Sequence, residues 1–454
     1  MNKYLSLCII GNLIILIIAF LSKENMDAVT ICSLTQLCLN LYAICRSQLR
    51  IVLIASLFLL ISYLFHFGQA LIPLFGIEDL YYDRSVTAVT SNAEFISSQL
   101  FAMVCFASIA VSYLIHAKRN IIEDSPVNLD LGGVRKLATI VLIVTVFPML
   151  YVDFHKMIAL SLGGYEATYD VYASGIAKYF NQIAVLCKPS ISLLIFASCK
   201  KPKIARNIFL VSCIYYVLMM LSGDRGTYMI YIICNAFVYF RFVQRLTLKI
   251  SLIGLCAFAF LMSFMSAISM FRYTEFSFDA LVDSFTARSD DGFLYSILRE
   301  FGGTMLSLVY IMKYVPSYSG FGYGLTYIYG TLMVSPWLPS SVSEAISPFI
   351  TYVQAIPHNV YGYESLGGSY LGELYFNFGW LSPIIAFSIG SAISKFDRII
   401  TNRNNLLKLV LCIVVIPYVI LWVRDFFCVM FFAVFWYYVL MKMFVIKTNS
   451  NGHK

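Results

Sequence analysis

Apolar residues are gathered into runs long enough to cross a lipid bilayer, and these runs recur from one end of the chain to the other. A helix needs about 20 mostly apolar residues to cross the hydrocarbon core. The runs are continuous, as in residues 250–270, rather than alternating, so they predict helices and not the strands of a barrel. We therefore expect an all-α, polytopic membrane protein with about twelve spans, at 4–21, 28–45, 51–75, 97–117, 137–152, 177–198, 207–222, 226–240, 250–270, 380–395, 409–423 and 426–446.

The charged residues between the spans test this count, because cytoplasmic loops of membrane proteins are enriched in lysine and arginine. With the N-terminus placed in the cytoplasm, the inside segments hold 21 of the 32 basic residues and 4 of the 24 acidic residues. The inside then carries a net charge of +17 and the outside −9, which together give the +8 of the chain. A missed or extra span would scramble this separation, so both termini are predicted to be cytoplasmic.

Composition agrees with a membrane protein and disfavours several other classes. Apolar residues make up 60% and charged residues 12% of the chain, with a mean hydropathy of +0.80, unlike a soluble domain. The basic net charge follows from the topology and gives no reason to expect nucleic acid. No cleavage site follows residues 4–21, so this run predicts a retained span rather than a signal peptide. All twelve cysteines fall in or beside spans, so we expect neither disulfides nor a metal site outside.

The topology divides the chain into spans one to nine over 1–270, one large extracytoplasmic loop over 271–379, and the last three spans with a cytoplasmic tail over 380–454. A loop this long is usually functional or disordered, and its aromatic content argues against disorder. Residues 276–288 place apolar side chains at helical spacing and predict an interfacial helix. Residues 303–315 are apolar but short for a span, which predicts a re-entrant or membrane-surface helix.

Four of the arginines on the predicted outer face are candidates for binding an anion: Arg225, Arg272, Arg299 and Arg424. The sharpest signal is Arg225 in the turn Gly223-Asp224-Arg225-Gly226, because flanking glycines let a ligand approach the backbone closely. The structural alternatives are an arginine that snorkels to lipid headgroups, a local ion pair with an acidic neighbour, and, for Arg272, an interfacial anchor.

The end of the long loop supplies candidates for proton transfer. His358, in Pro357-His358-Asn359, is a candidate general base, although a lone histidine is more often a packed or surface residue. Glu373 and Asn377 are four residues apart and therefore share one face of a helix. The alternative for this pair is a buried polar contact that pins the helix. The chain has no Walker loop, HExxH, Asp-x-Asp or Gly-x-Ser-x-Gly, so a nucleotide-sugar enzyme or an ATP-driven pump is unsupported.

These features together resemble the bacterial O-antigen polymerases of the Wzy type, also called oligosaccharide repeat-unit polymerases. The resemblance is carried by the twelve spans, the arginine turn between two short spans, Pro357-His358-Asn359, and Glu373-Leu-Tyr-Phe-Asn-Phe-Gly before the next span. It covers nearly the full length in topology and is specific in 222–226 and 357–379. The paired Arg-x(10)-Gly motif of some relatives is not found at the outer arginines.

The resemblance implies a GT-C-like membrane glycosyltransferase that moves a growing glycan from undecaprenyl diphosphate onto a new lipid-linked repeat unit, on the periplasmic face of the bacterial inner membrane. It implies no cofactor, lipid-linked oligosaccharides as substrates, and a chain-length regulator and a flippase as partners. His358 would be the general base with Glu373 in reserve, and the four arginines would hold the diphosphate. Implied glycan-binding residues are Tyr323, Tyr327, Asn359 and Asn377.

Other functions fit parts of the pattern. An interfacial aromatic belt explains the tyrosines of 319–329 as well as sugar stacking does. A ligase that transfers finished O-antigen to lipid A core would hardly differ in fold or motifs. A flippase or other transporter suits twelve spans, but its polar residues would lie within spans, and here Lys188 is the main exception to nearly charge-free interiors. A scaffold protein is disfavoured by the outer arginine turn.

We expect a cysteine introduced at Ser319 to react with a membrane-impermeant thiol reagent in intact spheroplasts, because the long loop is predicted to face outward. The unmodified protein gives the background labelling of the native cysteines. A cysteine at Ser450 is expected to react only after the membrane is permeabilised. Labelling at 450 but not at 319 in intact spheroplasts would invert the topology.

Overall fold

The computed structural model describes residues 3–75, 91–117, 129–173, 175–222, 225–269, 298, 301–317, 320–333, 339, 341–342, 368–427 and 431–446. Within these ranges all regular elements are helical. The α-helices, in chain order, are α1 (Lys3–Leu21), α2 (Met26–Gln48), α3 (Ile54–Phe67), α4 (Asn92–His116), α5 (Gly132–Ala173), α6 (Gly175–Ala184), α7 (Cys187–Ala197), α8 (Pro202–Met219), α9 (Arg225–Phe242), α10 (Leu248–Ser269), α11 (Thr304–Tyr314), α12 (Leu325–Met333), α13 (Tyr370–Phe378), α14 (Ser382–Asn402), α15 (Leu406–Leu421) and α16 (Phe431–Leu440).

A helix lies at each of the twelve predicted span positions. In the described part of the chain, eight helical segments are long and apolar enough to cross a membrane. A ninth is added if α3 and the 3₁₀ helix Gln69–Phe75, which meet at 72°, form one bent span. The all-helical, polytopic architecture is therefore confirmed, whereas the count of twelve and the GT-C-like arrangement stay predictions.

Two helices extend beyond their predicted bounds. α5 runs for 42 residues, through much of the segment predicted to lie outside after residue 152. A candidate span begins at Tyr370 rather than at 380, because α13 continues through the 3₁₀ turn Gly379–Leu381 into α14. The predicted span over 137–152 ends before Asp153, and the predicted span over 380–395 begins after Asn377. Those residues bond to neighbouring helices, as described below, and so do not interrupt the helix.

The predicted helices of the long loop have different outcomes. α11 occupies the position of the predicted re-entrant or membrane-surface helix, but its residues from Thr304 to Ile311 are buried. It packs against α13, α4 and α3. The interfacial helix predicted at 276–288 lies outside the described residues, and the three-part division of the chain stays a prediction.

The chain forms two compact units. The first contains residues 1–125, 298–402 and 419–432, and its helices α4 and α14 pack closely. A Cβ atom added at Gly390 would lie 2.2 Å from the carbonyl oxygen of Ile109. The hydroxyls of Ser108 and Ser112 donate across the same interface to Pro383 O and Phe387 O. Small residues of this kind let membrane helices approach until their backbones touch.

The second unit contains residues 126–297, 403–418 and 433–454, and is built around α5, α7 and α9. Its candidate span over Gly175–Ala197 is interrupted between α6 and α7. The hydroxyls of Tyr418 and Tyr437 donate to the carbonyls of Val185 and Leu186 at this break, over 3.3 and 2.9 Å. These bonds supply donors to carbonyls beside the break, as a membrane interior requires.

Gly390→Ala is expected to destabilise the protein by about 1–3 kcal/mol, because the added methyl meets a backbone oxygen rather than a flexible side chain. Gly254→Ala in α10 is the matched control, since a Cβ atom there meets nothing within 4 Å. Unfolding midpoints in detergent measure both changes. Equal midpoints for the two variants would contradict the close packing at Gly390.

Candidate functional site

The structure brings together five of the residues predicted to form the site, all in the first unit: Tyr323, Tyr327, Glu373, Asn377 and Arg424. Arg225 is the first residue of α9, in the second unit, and the structure describes its backbone only. The remaining four lie outside the described residues: Arg272, Arg299, His358 and Asn359.

The site is built on the first turn of α13. Ser369 is the N-cap of this helix, with an extended backbone and a hydroxyl oxygen that accepts from Gly372 N over 3.1 Å. The buried ring of His66 lies against it, with Nε2 2.9 Å from the Ser369 hydroxyl and Nδ1 2.8 Å from Ser62 O. A carbonyl can only accept, so Nδ1 donates and, in the neutral ring, Nε2 accepts from Ser369. His66 thereby fixes the start of α13.

Glu373 lies one turn further along α13 and is 2% exposed. Its Oε2 accepts hydrogen bonds from Trp422 Nε1 over 2.9 Å and from Phe427 N over 3.2 Å. Its Oε1 accepts from the Thr326 hydroxyl over 3.1 Å. A buried carboxyl is tolerated only with such partners. One side chain therefore joins α13 to α12 and to the turn that follows α15.

Asn377 occupies the same face of α13, as the spacing predicts. Its Nδ2 donates to Glu373 O over 2.8 Å and to the Thr326 hydroxyl over 2.7 Å. Its Oδ1 accepts from Gly324 N over 2.9 Å, and its carbonyl accepts from Tyr323 N over 3.1 Å. Asn377 is fully buried, so the pair forms a buried polar network that holds the segment before α12.

The cation of the site lies at the edge of this network. Arg424 is exposed, within the 3₁₀ turn Trp422–Arg424, and its Cζ lies 5.7 Å from the ring centroid of Phe65. A guanidinium over an aromatic ring is held by cation–π attraction. On the other side of the turn, a Cβ atom at Gly368 would lie 3.0 Å from Asp425 Cα. The turn is thus closely packed while the guanidinium remains accessible.

The two predicted sugar-binding tyrosines have different surroundings. Tyr327 is stacked on Phe378, with ring centroids 6.1 Å apart, and meets Phe427 edge-on at 5.1 Å. Tyr323 is 77% exposed and has a φ of 47°, which is rare for a residue with a side chain. Of the two, Tyr323 has the more accessible ring. Glycan binding by either tyrosine stays a prediction.

A second buried polar cluster lies in the other unit. Asp153 of α5 is 5% exposed and accepts from the hydroxyl of Tyr228 over 2.6 Å and from that of Tyr215. Lys156 of the same helix is also buried, and the Lys188 Nζ lies 4.4 Å from the Tyr228 ring centroid. Tyr228 follows the start of α9 by three residues. The cluster therefore fixes the first turn of the helix that begins at Arg225.

Sequence reasoning missed several of these residues. The interiors of the spans are less free of charge than predicted, because the candidate span Gly132–Leu162 includes buried Asp153 and Lys156. Ionisable residues within a span were the available signal for these two and for His66. Thr326 and Trp422 carry no comparable signal, because hydroxyls and indoles occur throughout membrane helices. Among the described residues, no group of three acidic, histidine or cysteine side chains could hold a metal ion.

An all-helical chain with at least eight candidate spans, a buried carboxyl network and an accessible guanidinium defines a polytopic membrane protein with a polar site between its helices. The chain matches the family model of the O-antigen polysaccharide polymerase Wzy over residues 4–450. It belongs to that family, and is therefore, in general terms, a membrane-embedded O-antigen polymerase of polysaccharide biosynthesis. No curated protein and no solved structure gives a significant match.

Proposed function

We propose that this polymerase transfers a growing glycan from undecaprenyl diphosphate to the non-reducing end of a new repeat unit that is itself linked to undecaprenyl diphosphate. The observation that carries the proposal is the family match over nearly the whole chain. The reaction is placed on the periplasmic face of the bacterial inner membrane, with both termini in the cytoplasm, in accord with the charge distribution.

The reaction breaks the bond between the anomeric carbon of the donor glycan and the diphosphate oxygen. It forms a bond from that carbon to a hydroxyl oxygen of the acceptor sugar. Undecaprenyl diphosphate leaves with the electron pair, and the hydroxyl proton passes to a base. Catalysis then requires cations at the diphosphate, where negative charge develops, and a proton acceptor at the hydroxyl.

Arginines suit the first requirement, because a guanidinium offers paired donors to two phosphate oxygens. Arg424, exposed in a closely packed turn, supports this role directly. Arg225, Arg272 and Arg299 are candidates for the same role on the strength of the sequence. Tyr323, with an exposed ring, is proposed to contact the glycan, with Tyr327 and Asn359 as further candidates. Asn377, also predicted to bind the glycan, is fully buried and both of its amide atoms bond within the protein, which favours a supporting role.

His358 is the proposed general base, on the strength of its position in the loop sequence. Glu373, predicted as a reserve base, is buried, and both of its oxygens already accept hydrogen bonds. We therefore give Glu373 the role of general base only if His358 is dispensable. A chain-length regulator and a flippase are proposed partners.

Deletion of the gene tests the function. A polymerase mutant should leave one repeat unit on the lipid core, whereas a ligase mutant should leave none there and a flippase mutant should export no glycan. Purified wild-type protein is expected to polymerise the undecaprenyl-diphosphate-linked repeat unit isolated from the deletion strain. A deletion strain with full-length chains would refute the proposal.

Arg225→Lys is expected to impair polymerisation almost as much as Arg225→Ala, because lysine lacks the bidentate fork. Arg206→Ala is the control, since Arg206 is exposed in a segment predicted to face the cytoplasm. Chain lengths on gels and protein levels in the membrane measure the effect. Full activity in Arg225→Ala would remove this residue from the site.

His358→Ala is expected to lower the rate about 100- to 10,000-fold, as loss of a positioned base does. The purified variant is assayed with the lipid-linked repeat, with His453→Ala in the tail as the control. A parental rate and pH profile in His358→Ala would exclude the histidine as base. An inactive Glu373→Gln would then give that role to the carboxyl group.

A further inference from the structure

Glu373 holds the chain on both sides of Arg424. The same oxygen, Oε2, accepts from the Trp422 indole and from the Phe427 backbone, and these two residues stand on either side of Arg424. A change at the carboxyl therefore reaches Arg424 without any direct contact between the two side chains.

Asn377 holds the backbone of Tyr323, the second exposed side chain of the site. The φ of 47° at Tyr323 is a left-handed conformation that strains a residue with a side chain. Two hydrogen bonds to Asn377, from Tyr323 N and Gly324 N, fix the backbone on both sides of this conformation. The strain is retained and the ring remains exposed.

The hydroxyl group of Thr326 couples the contacts of Glu373 to those of Asn377. Thr326 accepts from Asn377 Nδ2 over 2.7 Å and donates to Glu373 Oε1 over 3.1 Å. All three side chains are buried. In a low-dielectric interior, such linked hydrogen bonds polarise one another, and each depends on the presence of the next.

We propose that Glu373 and Asn377, coupled through Thr326, are positioning residues that hold Arg424 and Tyr323 at a fixed separation to receive a diphosphate-linked sugar. Resting on the proposed function, this arrangement assigns the diphosphate to the guanidinium and a sugar face to the tyrosine ring. Positioning groups of this kind contribute by removing the freedom of the reacting parts before the reaction begins. Glu373 acts through the turn and does not accept the proton of the acceptor sugar.

The first test compares two identical substitutions on one helix. Thr326→Val removes the coupling hydroxyl, whereas the exposed Thr331, also in α12, donates within its own helix to Tyr327 O. We expect Thr326→Val to lower kcat/KM for the purified lipid-linked repeat about 100-fold, the effect of a small displacement of the groups that position the substrate. Thr331→Val is expected to stay within about twofold of wild type, as exposed substitutions usually do. Equal values for the two variants overturn the proposal.

A double-mutant cycle separates positioning from general loss of structure. If Thr326 acts through Arg424, then Thr326→Val should cause much less further loss in an Arg424→Ala background than it causes alone. Independent effects, which multiply fully in the double variant, contradict this coupling.

Glu373→Gln and Glu373→Ala form the second test and remain decisive if Thr326→Val fails to fold. The glutamine oxygen can accept from Trp422 and Phe427 while its amide nitrogen donates to Thr326, but glutamine cannot accept a proton. Glu373→Gln should therefore retain far more activity than Glu373→Ala, with the wild-type pH profile. A glutamine variant as inactive as the alanine variant overturns the positioning role.

The same assays separate this inference from the proposed function. A wild-type protein that does not polymerise the lipid-linked repeat refutes the function, and the inference falls with it. If the wild-type protein is active and Thr326→Val leaves its kcat/KM unchanged, the inference alone is refuted.

Discussion

The carboxyl group of Glu373 is the contact on which the rest of the first unit's site depends. It accepts three hydrogen bonds from two segments that are far from it in sequence, and it is enclosed on all sides. An enclosed carboxyl that loses a donor becomes a source of instability, because no water replaces the missing bond. The loss of any one of these donors therefore weakens both segments that the carboxyl group holds.

In the part of the chain that the structure describes, two side chains beside this closed network are accessible. Arg424 and Tyr323 are exposed, yet the backbone of each is held by buried hydrogen bonds or close packing. Rigid backbone with an exposed functional side chain is the arrangement expected of a site that must hold a flexible substrate, since less freedom is lost on binding. His66, through Ser369, fixes the other end of α13 in the same way.

The sequence predicts the class of fold and part of the site for a simple reason: both depend on local periodicity. Continuous apolar runs show where helices lie, and a spacing of four residues places Glu373 and Asn377 on one face. The partners of that face are beyond such reasoning, because Thr326 and Trp422 are about 50 residues away along the chain and neither belongs to a recognisable motif. The bounds of α5 were misjudged because a charged residue reads as the end of a span, whereas Asp153 is satisfied by tyrosines from later helices.

The dependence of Asp153 on tyrosines from later helices has a consequence for the biosynthesis of the protein. Ionisable side chains within membrane-spanning helices are costly and are almost always paired with other groups. α5 leaves the ribosome carrying Asp153 and Lys156 before α8 and α9, which supply Tyr215 and Tyr228, have been synthesised. Asp153 therefore gains its hydroxyl donors only after α8 and α9 have been made, so the polar contacts of this unit are completed by helices that follow α5 in the chain.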